Sequence, residues 1–191
     1  MRVITGKYGG RVLKKKMPNG TRPTTDKSRE AIFSMLDNYI YFEDKKVLDC
    51  YAGSGLVGIE FLSRGSKHCT FVEKGGKQVA NLKNFLNDLN VPYDDYNIVK
   101  TDVIKFLKSE HDDVYNIIFS DAPYHLQSAN EIIETVNECS LLPNEGFLVL
   151  ETSVEEKINP NGNFIMVKEK VFGASKITLL EYSSKKNNQK T

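Results

Sequence analysis

The sequence has few cysteines, no long apolar run and almost no net charge, and each absence excludes a class of protein. Its three cysteines are an odd number without CxxC spacing, so neither a disulfide framework nor a metal site is predicted. Apolar runs such as 117–119 and 146–150 are far shorter than the roughly 20 residues of a membrane-spanning helix. The first residues lack the apolar stretch of a secretory signal. These absences predict a cytoplasmic protein with no membrane or metal partner.

The net charge of +1 conceals an uneven distribution. Residues 1–30 contain nine basic and two acidic side chains, a charge of +7, so the remaining 161 residues carry −6. Four of the five arginines lie in this first segment, and the planar guanidinium suits phosphate. A basic arm on an acidic body favours a nucleic-acid partner, although charge alone leaves a solvated charge run equally open.

Beyond the arm, short β-branched or aromatic runs alternate with stretches of helical periodicity, which is typical of a parallel sheet with crossover helices. The predicted strands are 46–51, 69–73, 97–101, 116–121 and 146–151, and the predicted helices are 56–64, 75–89, 103–110 and 126–139. Two last strands, 163–172 and 175–183, are separated by Gly173-Ala174 alone and predict an antiparallel hairpin. The fold class is therefore α/β, doubly wound, with seven strands.

The chain is predicted to form one domain over residues 1–191, with a basic arm at 1–25, a catalytic core at 26–183 and a polar tail at 184–191. Within the first part, residues 2–13 alternate as two short strands about a turn at 7–10. A helix is expected over 27–40, with Asp26 as its N-cap.

The most informative motif follows the first strand, which ends at an acid, Asp49, before the G-x-G-x-x-G pattern of Gly53-Ser54-Gly55 through Gly58. This pattern is weak alone, but here a strand precedes it and a helix follows it. Glu73 ends the second strand, 20 residues after Gly53, where a carboxylate can accept hydrogen bonds from two ribose hydroxyls. Together these residues predict a nucleoside-cofactor site.

Asp49 also indicates which cofactor binds. A carboxylate at the strand tip would repel a pyrophosphate but attract the cationic amino group and sulfonium of S-adenosylmethionine. That cofactor is therefore favoured over NAD. Asp102, after the third strand, could accept a hydrogen bond from the adenine amino group or cap the next helix, and the two roles are compatible.

The fourth strand ends in Asp121-Ala122-Pro123-Tyr124, which resembles the Asp/Asn-Pro-Pro-Tyr motif of amino-methyltransferases. The resemblance implies that Asp121 and the Ala122 carbonyl accept hydrogens from an exocyclic amine while the Tyr124 ring stacks on the base. Ala122 replaces the first proline of the motif. Alanine keeps the carbonyl and Pro123 still favours an extended residue 122, so we expect the acceptor to be preserved on a somewhat looser backbone.

With further matching segments, the whole chain resembles the bacterial 16S ribosomal RNA (guanine-N2)-methyltransferase family, RsmD type. The matches are Arg2-Val3-Ile4-Thr5-Gly6, Gly10-Arg11, 22–33, 49–55, 62–65, 71–73, 121–124 and Phe172-Gly173. The resemblance implies the class I methyltransferase fold, S-adenosylmethionine as cofactor, and a guanine of 16S rRNA, free or in an assembling small subunit, as substrate.

The resemblance also implies residue roles. Cofactor contacts are expected from Asp49, Gly53, Ser54, Gly55, Glu73 and Asp102, with Thr24 and Arg29 closing over the methionine end or bracing the catalytic loop. RNA contacts are expected from Arg2, Arg11, Lys14, Lys15, Lys16 and Arg22, on a monomeric protein. Two alternatives stay open: an amino-methyltransferase acting on another base or a protein amide, and a non-catalytic RNA-binding assembly factor.

Overall fold

A computed structural model of the protein describes residues 2–12, 26–109 and 113–184. The chain divides into two compact units, Met1–Thr101 and Asp102–Thr191. The strands are those of a seven-stranded, mostly parallel sheet that ends in an antiparallel hairpin, which confirms the predicted α/β fold class. The boundaries of the predicted arm, core and tail stay a prediction.

The first unit is a parallel three-stranded layer with its crossover helices. Its elements are α1 (Asp26–Leu36), β1 (Lys46–Cys50), α2 (Leu56–Ser63), β2 (His68–Val72), α3 (Gly76–Asp88) and β3 (Tyr96–Val99). The strand order is β3-β2-β1, and both pairings are parallel. Three phenylalanine rings, Phe33, Phe42 and Phe61, pack edge to face with centroids 4.6–5.7 Å apart. This cluster joins α1 to α2, the helix that follows the glycine motif.

The second unit contains one parallel and two antiparallel pairings. Its elements are α4 (Val103–Leu107), β4 (Ile117–Ser120), α5 (Ala129–Glu138), β5 (Gly146–Ser153), β6 (Phe164–Phe172) and β7 (Ser175–Tyr182). Strand β4 pairs parallel with β5, and β7 lies antiparallel between β5 and β6. The hairpin predicted from Gly173-Ala174 is thereby confirmed.

Three predicted helices have other boundaries in the structure, and the predicted N-terminal strand pair is reduced to one bridge. The helix expected at 27–40 begins at Asp26 and ends at Leu36, where the Tyr39 N–H bonds back to the Leu36 carbonyl and turns the chain. The helix expected at 126–139 begins at Ala129, because 124–126 form a 3-10 turn. The helix expected at 103–110 ends at Leu107. In place of two N-terminal strands, the described residues 2–12 contain one bridge, between Arg2 and Val12.

Candidate active site

The glycine motif forms a tight connection between β1 and α2. Gly53 and Gly55 both have positive φ, 54° and 73°, which glycine adopts without strain. A Cβ on Gly55 would collide with Leu82 of α3, so this glycine is needed for packing. A Cβ on Gly53 would meet only the Tyr51 oxygen, at 3.8 Å, among the described residues. The loop is thus packed on one side and open to a ligand at Gly53.

The side chain of Glu73 closes onto this open loop from the end of β2. Its Oε2 accepts the Gly53 N–H at 2.9 Å, and its Oε1 accepts the Gly75 N–H at 2.6 Å. Each carboxylate oxygen has a further lone pair, and Glu73 is partly exposed. Glu73 therefore fixes the loop and can still accept hydroxyl donors. Ser54, between the two glycines, is also partly exposed.

Asp49 lies beneath the loop, with 2% of its surface exposed. Its Oδ2 accepts the Gly58 N–H of α2 at 2.9 Å, and so it holds the first turns of the helix. Burial, and secondly the Asp49 charge, raises the pKa of the Cys50 and Cys69 thiols. A negative charge in so dry a position can attract a cation over several ångströms. Asp49 thus fits the predicted electrostatic role, and it also binds the backbone of α2.

Arg29, on α1, is fully buried. Its Nη2 donates to the Arg2 carbonyl at 2.8 Å and to the Asp26 carboxylate. Its Nε and Nη1 have no hydrogen-bond acceptor among the described residues. A buried guanidinium with donors to spare fits a carboxylate ligand. Thr24, predicted to act with Arg29, lies outside the described residues.

Asp102 caps α4 in the second unit. Its Oδ1 accepts the Lys105 N–H at 3.3 Å, so the helix-capping role anticipated for it is confirmed. The side chain stays partly exposed. Its contact with adenine remains a prediction.

The tetrapeptide follows β4 directly and leads into the 3-10 turn at Tyr124–Leu126. Asp121, Ala122 and Tyr124 are partly exposed, and Pro123 is exposed. The Tyr124 hydroxyl hydrogen-bonds Ser175 Oγ at 2.6 Å, at the start of β7. The sequence does not indicate this role of Ser175, because Ser175 lies 51 positions after Tyr124 and only the fold brings the two side chains together.

Of the predicted RNA-binding residues, Arg2 and Arg11 are described and both are exposed. Arg2 also lies 3.6 Å from the Asp26 carboxylate. The remaining four, Lys14, Lys15, Lys16 and Arg22, lie outside the described residues. Among 2–12, 26–109 and 113–184, no group of three potential metal ligands occurs, and no helix is long and apolar enough to cross a membrane.

Comparisons with known proteins agree over nearly the whole chain. The family model described as conserved hypothetical protein 95 matches residues 1–181. YlbH of Bacillus subtilis is 34% identical over 182 residues, which cover 94% of this chain and 97% of YlbH. Ribosomal RNA small subunit methyltransferase D of Escherichia coli is 32% identical over 174 residues, 91% of this chain and 85% of that protein.

The fold also resembles that of a solved structure. The structure of yhhF from Escherichia coli superposes with a TM-score of 0.83 at 29% identity, covering 96% of this chain and 98% of that one. The resemblance inferred from the motifs is thereby confirmed. The chain belongs to the conserved hypothetical protein 95 family, the RsmD type of ribosomal RNA small subunit methyltransferases.

Proposed function

We infer that the protein is an S-adenosylmethionine-dependent rRNA methyltransferase, and we propose that it methylates the N2 amine of a guanine in 16S rRNA. Family membership supports the reaction class. The observation that carries the cofactor assignment is the open face of Gly53 beside the Glu73 carboxylate. A nucleoside can approach the backbone there and donate its ribose hydroxyls to an acid already oriented by two N–H groups.

The first unit offers a donor or acceptor for each charged part of the cofactor. Glu73 would hold the ribose, with Gly53, Ser54 and Gly55 lining the loop. Asp49 would stabilise the cationic methionine end through its buried charge, and the spare N–H groups of Arg29 would bind the α-carboxylate. Asp102 and Thr24 keep their predicted roles at the adenine and the methionine end. S-adenosylmethionine supplies an electrophilic methyl group on a sulfonium.

In the second unit, the tetrapeptide would orient the amine. The lone pair of guanine N2 is delocalised into the ring, so it attacks well only when its two N–H groups are held and the nitrogen is directed at the methyl carbon. The Asp121 carboxylate and the Ala122 carbonyl are suited to accept those N–H groups, while the Tyr124 ring stacks on the base. Once bound, S-adenosylmethionine would supply the methyl group and leave as S-adenosylhomocysteine, and the amine held by Asp121 and Ala122 would lose its extra proton to water.

Substrate affinity would come from a different part of the protein. The exposed guanidinium groups of Arg2 and Arg11 are suited to phosphate oxygens, which give affinity without sequence information. The same role is proposed for Lys14, Lys15, Lys16 and Arg22. We further propose that the protein is monomeric and lies in the cytoplasm, where ribosomal subunits are assembled.

The proposal is tested by incubating the protein and tritiated S-adenosylmethionine with immature 30S particles and with 16S RNA. We expect one guanine to be labelled and nucleoside mass spectrometry to identify N2-methylguanosine. Asp121→Ala should abolish transfer, whereas changing the exposed His125, in the 3-10 turn that follows, by His125→Ala should retain it. Label on another base or on protein would favour the other amino-methyltransferase reading.

The non-catalytic alternative rests on Ala122. That reading predicts RNA binding without turnover, and a large gain in rate when Ala122→Pro restores the motif. Because Ala122 keeps its carbonyl and Pro123 still favours an extended backbone, we expect a change of only a few-fold.

A further inference from the structure

The N-terminal segment, residues 2–12, is attached to α2 through the carboxylate of Glu60. The side chain is completely buried. Its Oε2 accepts the Ile4 N–H at 2.7 Å, and its Oε1 accepts the Thr5 N–H at 3.0 Å and the Thr5 hydroxyl at 3.2 Å. Arg64 Nε adds a fourth bond at 3.1 Å. Three of the four donors therefore belong to the N-terminal segment.

Ser63, one turn along α2, continues the attachment. Its hydroxyl donates to the Thr5 carbonyl and accepts the Tyr8 N–H at 2.9 Å. Its own carbonyl accepts the Lys7 N–H at 2.7 Å. Gly6 sits so close to the helix that a Cβ there would collide with the Ser63 carbonyl. The segment is thus in direct backbone contact with α2 over residues 4–8.

This attachment gives two arginines fixed positions. The segment folds back on itself, because Val3 N–H donates to the Arg11 carbonyl at 3.0 Å and Gly10 N–H donates to the Val3 carbonyl at 2.9 Å. Arg2 and Arg11 consequently project from a short closed turn on α2, and both are exposed. Phosphate-binding groups that are already ordered lose less conformational entropy on binding than groups on a free chain.

We propose that Glu60 is a positioning residue for RNA binding, which acts by holding Arg2 and Arg11 in place through the N-terminal segment. The inference rests on the proposed function, because RNA is the partner it names. Glu60 is completely buried and would act through the segment, without touching RNA itself. A purely structural role would lower stability but leave the RNA affinity of the folded protein unchanged, whereas a positioning role lowers that affinity selectively.

Two glycines in the segment provide a matched pair of variants. Gly6 and Gly10 have the same φ, 78°, so alanine must adopt the same left-handed φ at each. Only Gly6→Ala places a methyl group against the Ser63 carbonyl, since a Cβ on Gly10 meets nothing within 4 Å among the described residues. Comparing them separates detachment of the segment from strain within it, without changing any charge.

For Gly6→Ala, we expect the KM for 16S RNA to rise about fivefold or more, with kcat at saturating RNA retained. The slope of the logarithm of RNA affinity against the logarithm of salt concentration should also become shallower by about 2, because two phosphate contacts are lost. Gly10→Ala strains the closed turn beside Arg11 but leaves the bonds to α2 in place, so its KM should rise by clearly less than that of Gly6→Ala. The affinity for S-adenosylhomocysteine should be unchanged in Gly10→Ala and should fall by less than the RNA affinity in Gly6→Ala, because the Arg2 carbonyl also accepts a bond from Arg29. Hydrogen exchange should show faster amides at residues 4, 5, 7 and 8 in Gly6→Ala alone.

Glu60→Gln tests the carboxylate itself. The amide NH2 would face one of the backbone N–H groups of Ile4 or Thr5, donor against donor, so the segment should detach as in Gly6→Ala. In a double-mutant cycle, Glu60→Gln should add little to the affinity lost by Arg2→Ala with Arg11→Ala, because it acts through those two side chains.

The outcomes are distinguishable. Equal RNA affinity for Gly6→Ala and Gly10→Ala, or additive effects in the cycle, overturns the positioning role while leaving the proposed function intact. A loss of S-adenosylhomocysteine affinity as large as the loss of RNA affinity also overturns it. Failure of the parent protein to bind or methylate any rRNA instead overturns the proposed function, and the inference with it. If Glu60→Gln does not fold, the glycine pair still decides the question.

Discussion

Replacing Glu73 by glutamine should weaken cofactor binding by an amount that follows from two hydrogen bonds. The carboxylate accepts the Gly53 N–H at 2.9 Å and the Gly75 N–H at 2.6 Å. Glutamine has one oxygen, so one of these N–H groups would face an NH2 group. Leaving a partly buried donor unmatched costs about 1–3 kcal/mol, which corresponds to roughly 5- to 150-fold in affinity if the loop must keep this conformation.

Losing a charged acceptor for the ribose hydroxyls should place the result in the upper part of that range. Titration calorimetry with S-adenosylhomocysteine measures the effect directly, and circular dichroism verifies that the variant is folded. Glu43→Gln makes the same chemical change at an exposed position outside the loop and should bind like the parent. If Glu73→Gln binds within twofold of the parent, Glu73 is not the residue that orders the cofactor loop.

Four further predictions follow from close packing, a side-chain hydrogen bond and burial. Gly55→Ala should lower the free energy of unfolding by about 2–4 kcal/mol, since the new methyl overpacks α3 at a positive φ. Gly173→Ala is the control, because Gly173 also has a positive φ, 61°, but a Cβ there would meet nothing within 4 Å among the described residues. Chemical denaturation should show that it lowers the free energy of unfolding by only about 1 kcal/mol. Ser175→Ala removes the partner of the Tyr124 hydroxyl and should lower kcat several-fold with S-adenosylhomocysteine affinity unchanged; an unchanged kcat would show that this bond does not position the ring. Only the exposed Cys139 should react with a thiol reagent in the folded protein, and reaction of all three thiols would contradict the burial of the other two. Burial raises the pKa of the Cys50 and Cys69 thiols above their unfolded values, so these thiols ionise first in the unfolded chain. The free energy of unfolding should therefore fall as the pH rises above about 8.5.

Most of the fold was predictable because its signals are local. Helix α3 has an apolar stripe at Val79, Leu82, Phe85 and Leu86, and all four side chains are buried. The glycine motif is equally local, since Gly53 and Gly55 need positive φ and Glu73 follows at the spacing expected of the next parallel strand. Tertiary contacts moved the boundaries but not the order of these elements.

The attachments between distant residues were not predictable. Glu60 lies inside a helix and looks like an exposed charge, yet it is buried because backbone donors 55 and 56 positions away satisfy it. The N-terminal segment folds back on itself, as expected, through the Arg2–Val12 bridge and the Val3–Arg11 bond, but its bonds to α2 were not predictable. Arg29 is buried for a similar reason, since it binds the Arg2 carbonyl. Such contacts depend on the packed fold, and spacing in the sequence does not encode them.

The central claim, methylation of a guanine amine in 16S rRNA by residues of this chain, is tested most directly by product analysis. Immature 30S particles would be incubated with labelled S-adenosylmethionine and either the parent protein or Asp121→Ala, and the RNA digested to nucleosides for mass spectrometry. The account predicts labelled N2-methylguanosine at a single position with the parent and none with the variant. Label on any other nucleoside, or equal labelling by Asp121→Ala, would contradict it.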